Sequence, residues 1–506
     1  MMETISKINS AINDIVWGVP ALTLLIGTGI LMTILTKFFQ FTQFGHMMKE
    51  TIGSLFKKTD ILKSKDKHSI SQFQALCTAL SATIGTGNIA GIAYAITMGG
   101  PGAIFWMWVA AIFGMMTNYS ENVLGIFYRR KNAHGEWCGG AMYYLQDGLG
   151  SKKHCKKLGR ILAILFSVFA ILASFGIGNM GQVVSIKESI LNIYDFSGKE
   201  LTSSLLIGGC ITLMAALVIV GGLKRISSAN ERLVPFMAAF YIIGSLIIIL
   251  MNRHLVGAAF ASIFQNAFRV RAAAGGISGA LIKKAVTWGF KRGVFSNEAG
   301  LGSSVMVHSA SNVKEPVTQG LWGIFEVFFD TIIICTMTAL VILTTGVVDL
   351  TTGASLSGST KLGLTTEAFT KSFGPFGGVF IAIAISLFAF STVLGWSYYG
   401  TKAWEYLFGT KATILYKILF IVMILVGSTL NAGIAIDLSD TFNGLMAIPN
   451  LIGVLALSGT VVSITNNYLH RTGKKKKADT TRKPMLSHFS DIQAKHESEL
   501  KQDALL

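Results

Sequence analysis

Two glycine-punctuated stretches hold the residues best placed to do chemistry. The first is Ser81–Gly91, read Ser-Ala-Thr-Ile-Gly-Thr-Gly-Asn-Ile-Ala-Gly, inside an apolar run from about Gln72 to Met98. Gly85 and Gly87 each cost about 1 kcal/mol relative to Ala within a helix. Breaking a helix in hydrocarbon costs more, because the freed N–H and C=O groups find no water there. Such a break survives only where the loose backbone lines a cavity or grips a ligand. A break over Ile84–Asn88 aims free N–H groups and a positive dipole end at an anion such as a carboxylate. The plainer reading of this stretch alone is a glycine-rich face that lets another helix approach. The second stretch, Gly289-Phe-Lys-Arg-Gly-Val-Phe-Ser-Asn-Glu-Ala-Gly-Leu-Gly302, packs four glycines and the charges of Lys291, Arg292 and Glu298 into one apolar span. Each such charge at mid-bilayer costs roughly 2.5–3.5 kcal/mol even on a lenient insertion scale, so these side chains should face protein or a wet cavity. A loop joining two short helices is the alternative here.

The elements that position these stretches are membrane helices. The chain has 506 residues, 51% hydrophobic and 14% charged, with mean hydropathy +0.56. That composition excludes an ordinary soluble enzyme. The pattern predicts an all-α polytopic membrane protein of about eleven spans. They cover roughly 15–37, 72–98, 101–128, 158–184, 203–222, 232–252, 278–309, 317–346, 376–404, 412–434 and 442–466. The first is a transmembrane helix rather than a signal peptide, since its apolar run is too long and no small-residue cleavage site follows. A net charge of +17 could suggest nucleic acid, but Lys and Arg crowd alternate loops, as topology signals do. Loops 37–71, 129–157 and 223–231 and the run Lys474–Lys477 hold clusters of them. The positive-inside rule then puts the N-terminus outside and the C-terminus in the cytoplasm of a multi-pass protein of the cell membrane. Arg253, Arg269, Arg271, Lys283 and Lys284 run against that pattern, and an interfacial helix over Phe260–Val270 is expected there. The five cysteines show no zinc or disulfide spacing. The polar end after about Arg471 reads as a disordered tail.

The two interrupted spans are the second and the seventh, five crossings apart. Matched breaks in two halves point to a five-plus-five inverted repeat with a binding site at mid-membrane, as in secondary transporters. The organisation read from this is an N-terminal helix and loop (1–71), a first repeat (72–252), a linker or interfacial segment (253–277), a second repeat (278–467) and a tail (468–506).

Longer motifs then bear a family likeness. Gly99-Gly-Pro-Gly-Ala-Ile-Phe-Trp-Met-Trp108 with Gly114, Arg292-Gly-Val-Phe-Ser-Asn-Glu-Ala-Gly300, Phe328-Phe-Asp-Thr331 and Phe390-Ser-Thr-Val-Leu-Gly-Trp-Ser-Tyr-Tyr-Gly400 resemble the alanine or glycine:cation symporter family. The likeness runs from about Trp17 to Asn467. One departure is Ala141, where relatives usually carry proline. Gly85-Thr86-Gly87-Asn88 is similar to the Gly-x-Gly-Asn of neurotransmitter:sodium symporters. The resemblance implies sodium-coupled uptake of alanine or glycine on the amino acid–polyamine–organocation fold, with an extra first helix. Proton coupling on the same fold is the rival, which a buried Glu298 or Glu121 could serve. A channel would need a continuous lined pore. An enzyme would need a metal cluster, HExxH, GxSxG or nucleotide loop, and none is present. No nucleic acid or obligate protein partner is implied.

A small zwitterion needs a cradle at each end. The N–H groups of Thr86 and Gly87, with the Thr86 hydroxyl, suit its carboxylate; carbonyls freed near Phe295 and Ser296, at a negative half-helix end, suit its ammonium. The resemblance favours Phe295 and Trp396 as pocket walls, with Phe175 and Gln182 as weaker candidates; ordinary core packing, or for Gln182 a bond to a neighbouring helix, is the alternative for each. Ser391 and Thr392 match the paired hydroxyls of the superfamily's shared sodium site, which backbone carbonyls of Ser81 and Ile84 would complete. Alternatively, both hydroxyls simply bond their own i−4 carbonyls. A second ion near Thr83, Asn88 and Ser296 is weighed, and one sodium favoured. Arg292 is expected to pair with Glu121, Glu298, Glu326 or Asp330 as part of a gate, because unpaired charge at depth is costly. Lys291 fits a position near the outer surface.

Overall fold

The computed structural model describes residues 2–505 except 57, 58, 65, 67, 194–199, 269–276, 430–432 and 473–481. Arg269, Val270, Arg271 and Lys474–Lys477 therefore lie outside the described residues. The first helix begins earlier than hydropathy suggests: α1 (Met2–Val16) turns at Trp17 and Gly18 into α2 (Val19–Leu35). Pro20 sits in the first turn of α2, where its missing N–H costs nothing. After short helical turns comes α3 (Gln72–Thr83). It starts at a reciprocal cap in which the Ser71 hydroxyl accepts from Gln74 N–H and the Gln74 amide oxygen from Ser71 N–H, both at 3.0 Å.

The first break falls where the glycines put it. Ile84 leaves the helix at ψ 87°, Gly85 is extended, Thr86–Asn88 makes one tight turn, and α4 (Ala90–Gly99) resumes. There follow α5 (Gly102–Phe127), α6 (Lys156–Leu191), α7 (Glu200–Ile219), α8 (Gly222–Met251) and α9 (Arg253–Phe268). The described part of the expected interfacial segment thus packs on α5: the Trp106 indole donates to Ala267 O at 3.3 Å, and Phe105 meets Phe264 and Phe268 edge-on.

The second break falls at Glu298, past Gly289, Gly293 and the paired charges Lys291 and Arg292. Helix α10 (Ile277–Asn297) runs straight through Lys291, Arg292, Phe295 and Ser296. It is ended by Glu298, Gly300 and Gly302 at φ of 55°, 93° and 74°, which a helix cannot follow. One short turn, α11 (Val305–His308), follows. The remainder is α12 (Pro316–Thr344), α13 (Lys361–Phe373), α14 (Pro375–Phe408), α15 (Thr413–Thr429), α16 (Gly433–Ala456) and α17 (Ser458–Thr472). Among the described residues, eight helices are long and apolar enough to cross a membrane, nine if the bent pair α16–α17 is one span. These nine coincide with nine of the expected spans; the other two are the interrupted ones, α3 and α4 being too short because they are broken and α10 too charged, with Lys283, Lys284, Lys291 and Arg292.

The end of the chain is not the loose tail its polarity suggests. Asn467 donates to Lys483 O and accepts from Met485 N–H. His488 N–H bonds Phe127 O at 2.9 Å, Leu486 is buried, and α18 (Ser490–Leu505) lies beyond. Beside it the fully buried Arg129 guanidinium donates to the carbonyls of Ser309, Ser311 and Val313, closing the end of the second break. This side of the molecule is termed the tail face.

The Gly300 bend is tight: a Cβ there would lie 2.6 Å from Leu25 at a φ that L-residues avoid. Gly300→Ala should lower the thermal unfolding midpoint of detergent-solubilised protein, by the equivalent of about 1–3 kcal/mol. Gly209→Ala, where nothing lies within 4 Å, should leave it unchanged or raise it. Equal midpoints for the two variants would contradict the bend's assigned role.

Candidate functional site

The two breaks meet through a carboxylate. The Asn88 amide donates to one Asp330 oxygen at 2.6 Å, and the Ser296 and Thr331 hydroxyls donate to the other at 2.8 and 2.9 Å. Asn88 turns its own amide oxygen back to Gly85 N–H at 2.9 Å, and its main-chain carbonyl accepts from Thr338 at 2.8 Å. Asp330 is fully buried and, among the described residues, has no cationic partner within 4 Å. A buried anion in that position depends on several good donors. The sequence offered Asp330 as an intramembrane acid and a possible partner of Arg292, not as the link between the two breaks. The available signal was its place in Phe328-Phe-Asp-Thr331, with amide and hydroxyl partners at the two breaks. A π-helical stretch, Phe328–Cys335, starts there, a device that recurs at functional sites.

Around this junction the main chain is left open. Among the described residues no backbone carbonyl accepts the N–H of Thr86 or Gly87, and no backbone N–H reaches the carbonyls of Phe295, Ser296 or Asn297. A donor end and an acceptor end therefore face one neighbourhood: a Cβ on Gly87 would sit 3.6 Å from the Phe295 ring. Gln182 is buried and donates to Ile177 O. Among the described residues its amide oxygen has no donor, and it lies 3.6 Å from where a Cβ on Gly85 would stand. Thr86, Gly87, Gln182, Phe295 and Arg292 line one cavity of about 360 Å³. It runs along α4 past Tyr94 to the exposed Glu188, Lys361 and Asp437, so it opens on the face opposite the tail.

The predicted oxygens converge beside the first break. Thr392 donates to Ser81 O at 2.9 Å, and Ser391 reaches the same carbonyl at 3.4 Å. Both also bond Phe388 O in their own helix, so the plainer reading of these hydroxyls holds alongside the other. The carbonyls of Ser81 and Ile84 receive no backbone N–H among the described residues, because the chain has left the helix. Three neutral oxygens, Ser81 O and the two hydroxyls, meet beside bare main chain and are of the hard kind that a small monovalent cation prefers.

Other expectations are corrected. Arg292 pairs with none of Glu121, Glu298, Glu326 or Asp330. Its guanidinium lies over the rings of Tyr94, Phe295 and Trp288, 4.8, 5.2 and 5.7 Å from the centroids, an aromatic seat that replaces a carboxylate. Lys291 is instead the residue that meets an acid, Asp440 at 3.7 Å. Glu298 sits below the site, accepting from the Trp396 indole at 3.1 Å and from Ser303. Trp396 is fully buried against Gly178, where a Cβ would lie 2.3 Å away, so it seals the floor on the tail side and does not line the cavity. Phe175 packs on Tyr416 and Phe420, which is core. Deeper on the tail side Glu326 bonds His308 at 2.9 Å and Asn118 at 3.3 Å. Glu121 accepts from Asn450, which also holds Gly300 O.

With this geometry in hand, likeness to known proteins can be stated. The profile of the sodium:alanine symporter family matches residues 2–483. The sodium/alanine symporter AgcS of Methanococcus maripaludis is 44% identical over 467 residues, covering 92% of this chain and 98% of the relative. The probable sodium/glutamine symporter GlnT of Bacillus subtilis is 35% identical over 505 residues, covering 99% and 98%. The crystal structure of MhsT in complex with L-phenylalanine matches with a TM-score of 0.51 over 79% of this chain and 99% of that one, at 14% identity, a likeness of fold alone. The chain is thus a multi-pass membrane transporter rather than an enzyme, and it belongs to the sodium:alanine symporter family.

Proposed function

We propose that this transporter is a sodium-coupled symporter that imports alanine or glycine by alternating access. The observation that carries this reading is the facing of two interrupted helices, one offering N–H groups at Thr86 and Gly87 and the other carbonyls at Phe295 and Ser296 that have no main-chain partner among the described residues. An α-amino acid has the complementary ends. In this reading the first pair takes the carboxylate and the second the ammonium, each at the helix end of favourable dipole. Phe295 walls a small side chain, and the free Gln182 oxygen borders the same space. The name of the methanogen relative, a sodium/alanine symporter, supports alanine; the glutamine in another relative's name marks the side-chain pocket as the part that varies.

Sodium is assigned to the carbonyls of Ser81 and Ile84 with the hydroxyls of Ser391 and Thr392. Those carbonyls are open because the helix breaks there, so ion and amino acid share one broken segment. Binding either favours the geometry that the other needs, and the coupling must be reciprocal. Release toward the tail face requires parting Trp396 from Glu298 and Asn450 from Gly300. By the positive-inside rule that face is cytoplasmic, with the N-terminus outside the cell membrane. The rival, proton coupling, is favoured by the buried acids Glu121, Glu298 and Glu326 beside His308.

In proteoliposomes an imposed sodium gradient should drive uptake of alanine or glycine, and a pH gradient alone should not; uptake on the pH gradient alone would instead establish the rival. Thr392→Val should raise the sodium concentration for half-maximal uptake about tenfold, the equivalent of one lost ligand, and an unchanged value would remove Thr392 from the ion site. Asp330→Asn turns one of the two acceptor oxygens into a donor, so either the Asn88 amide or the Ser296 and Thr331 hydroxyls lose their acceptor. It should lower stability by about 1–3 kcal/mol and abolish measurable alanine binding; wild-type binding would contradict the junction's role.

A further inference from the structure

Arg129 and the terminal helix α18 enclose a second cavity on the tail face, remote from the transport site. It measures about 620 Å³, within the range of small-molecule sites. Five basic side chains line it (Lys63, Arg129, Lys131, Lys314 and Lys495) against three acids. Two of the acids are already engaged: Glu315 holds Arg471 at 2.6 Å and Glu499 holds Lys314 at 3.6 Å. That leaves Lys63, Arg129, Lys131 and Lys495 facing a single carboxylate, Asp66. Arg129 is 1% exposed and is bonded to carbonyls, which satisfy its N–H groups without cancelling its charge.

A second feature points the same way. His496 of α18 is 5% exposed, lies tilted against Trp137 with centroids 5.8 Å apart, and among the described residues its Nδ1 has no partner. Burial first, and then the charges of Arg129, Lys314, Lys495 and Lys131, push this imidazole down to about 3. It is therefore a neutral group held in an uncompensated positive field. Chloride would leave most of this volume empty, and one carboxylate would leave most of this charge unmatched; a phosphate group brings both size and multiple charge.

The geometry points to an anion site for a phosphate-bearing ligand in this cavity, walled by the protein's own C-terminal helix, so that the ligand pins the tail across the tail face. The ligand is either a soluble phosphorylated metabolite or a lipid headgroup, and the two are separable. Purified full-length protein in neutral detergent is titrated with pyrophosphate and with ATP by calorimetry, while hydrogen exchange is followed over residues 482–500. The same segment is then followed in nanodiscs of phosphatidylcholine with and without phosphatidylglycerol. Saturable binding is expected, with slowed exchange in 482–500. Lys495→Ala should weaken it about tenfold, Lys495→Arg should restore it, and added salt should weaken it. Protection by phosphatidylglycerol alone, lost in Lys495→Ala, identifies a headgroup as the ligand. No saturable binding and no protection in any arm, or binding indifferent to Lys495→Ala, overturns the site.

Discussion

One buried carboxylate ties the two halves of this transporter together. Asp330 receives Asn88 from the first break and Ser296 from the last turn before the second. In a membrane interior a broken helix is tolerable only if side chains take over what the missing turns left unpaired. Asn88 does so twice, bonding Gly85 N–H with its oxygen and Asp330 with its nitrogen. Polar groups that would otherwise destabilise the core thus hold each other in place, and the N–H and C=O groups they do not reach remain available to a ligand. Loss of one member would leave the others buried and unpaired, the costlier side of hydrogen bonding.

The same junction sets the asymmetry of the molecule. Toward the face opposite the tail, the cavity lined by Thr86, Gly87 and Phe295 reaches exposed residues. Toward the tail face the path is shut by tight contacts: Trp396 on Gly178 and Glu298, Asn450 on Gly300, and Arg129 on three carbonyls. The residues that close it lie on or next to the Glu298–Gly302 bend, whose three positive φ angles concentrate the backbone distortion in one place. A segment so constrained is suited to having two discrete arrangements, which alternating access requires.

How much of this was legible in the sequence follows from what each feature costs. Gly85 and Gly87 in an apolar run, and Lys291, Arg292 and Glu298 in another, are expensive for a membrane helix, so the breaks and their kinship could be read directly. In the second stretch Gly289, Gly293, Lys291 and Arg292 lie inside α10, and Glu298, an unfavourable residue at positive φ, ends it beside the Phe295 and Ser296 carbonyls expected to be freed. Asp330 stayed hidden as a site residue, because its meaning lies in partners far along the chain at Asn88 and Ser296. The expected ion pair of Arg292 failed for a related reason: charge balance predicts a carboxylate, and a cage of Tyr94, Trp288 and Phe295 serves instead. The tail misled because its order rests on polar caps from Asn467 and Gln493 and on Leu486, which leave little trace in hydropathy.

The most direct measurement is an experimental density map of the protein with alanine and sodium bound. The account predicts the amino acid between the breaks, its carboxylate on the N–H groups of Thr86 and Gly87, its ammonium on the carbonyls near Phe295 and Ser296, and an ion beside Ser81 and Thr392. An amino acid seated elsewhere, or one reversed end for end, would contradict it.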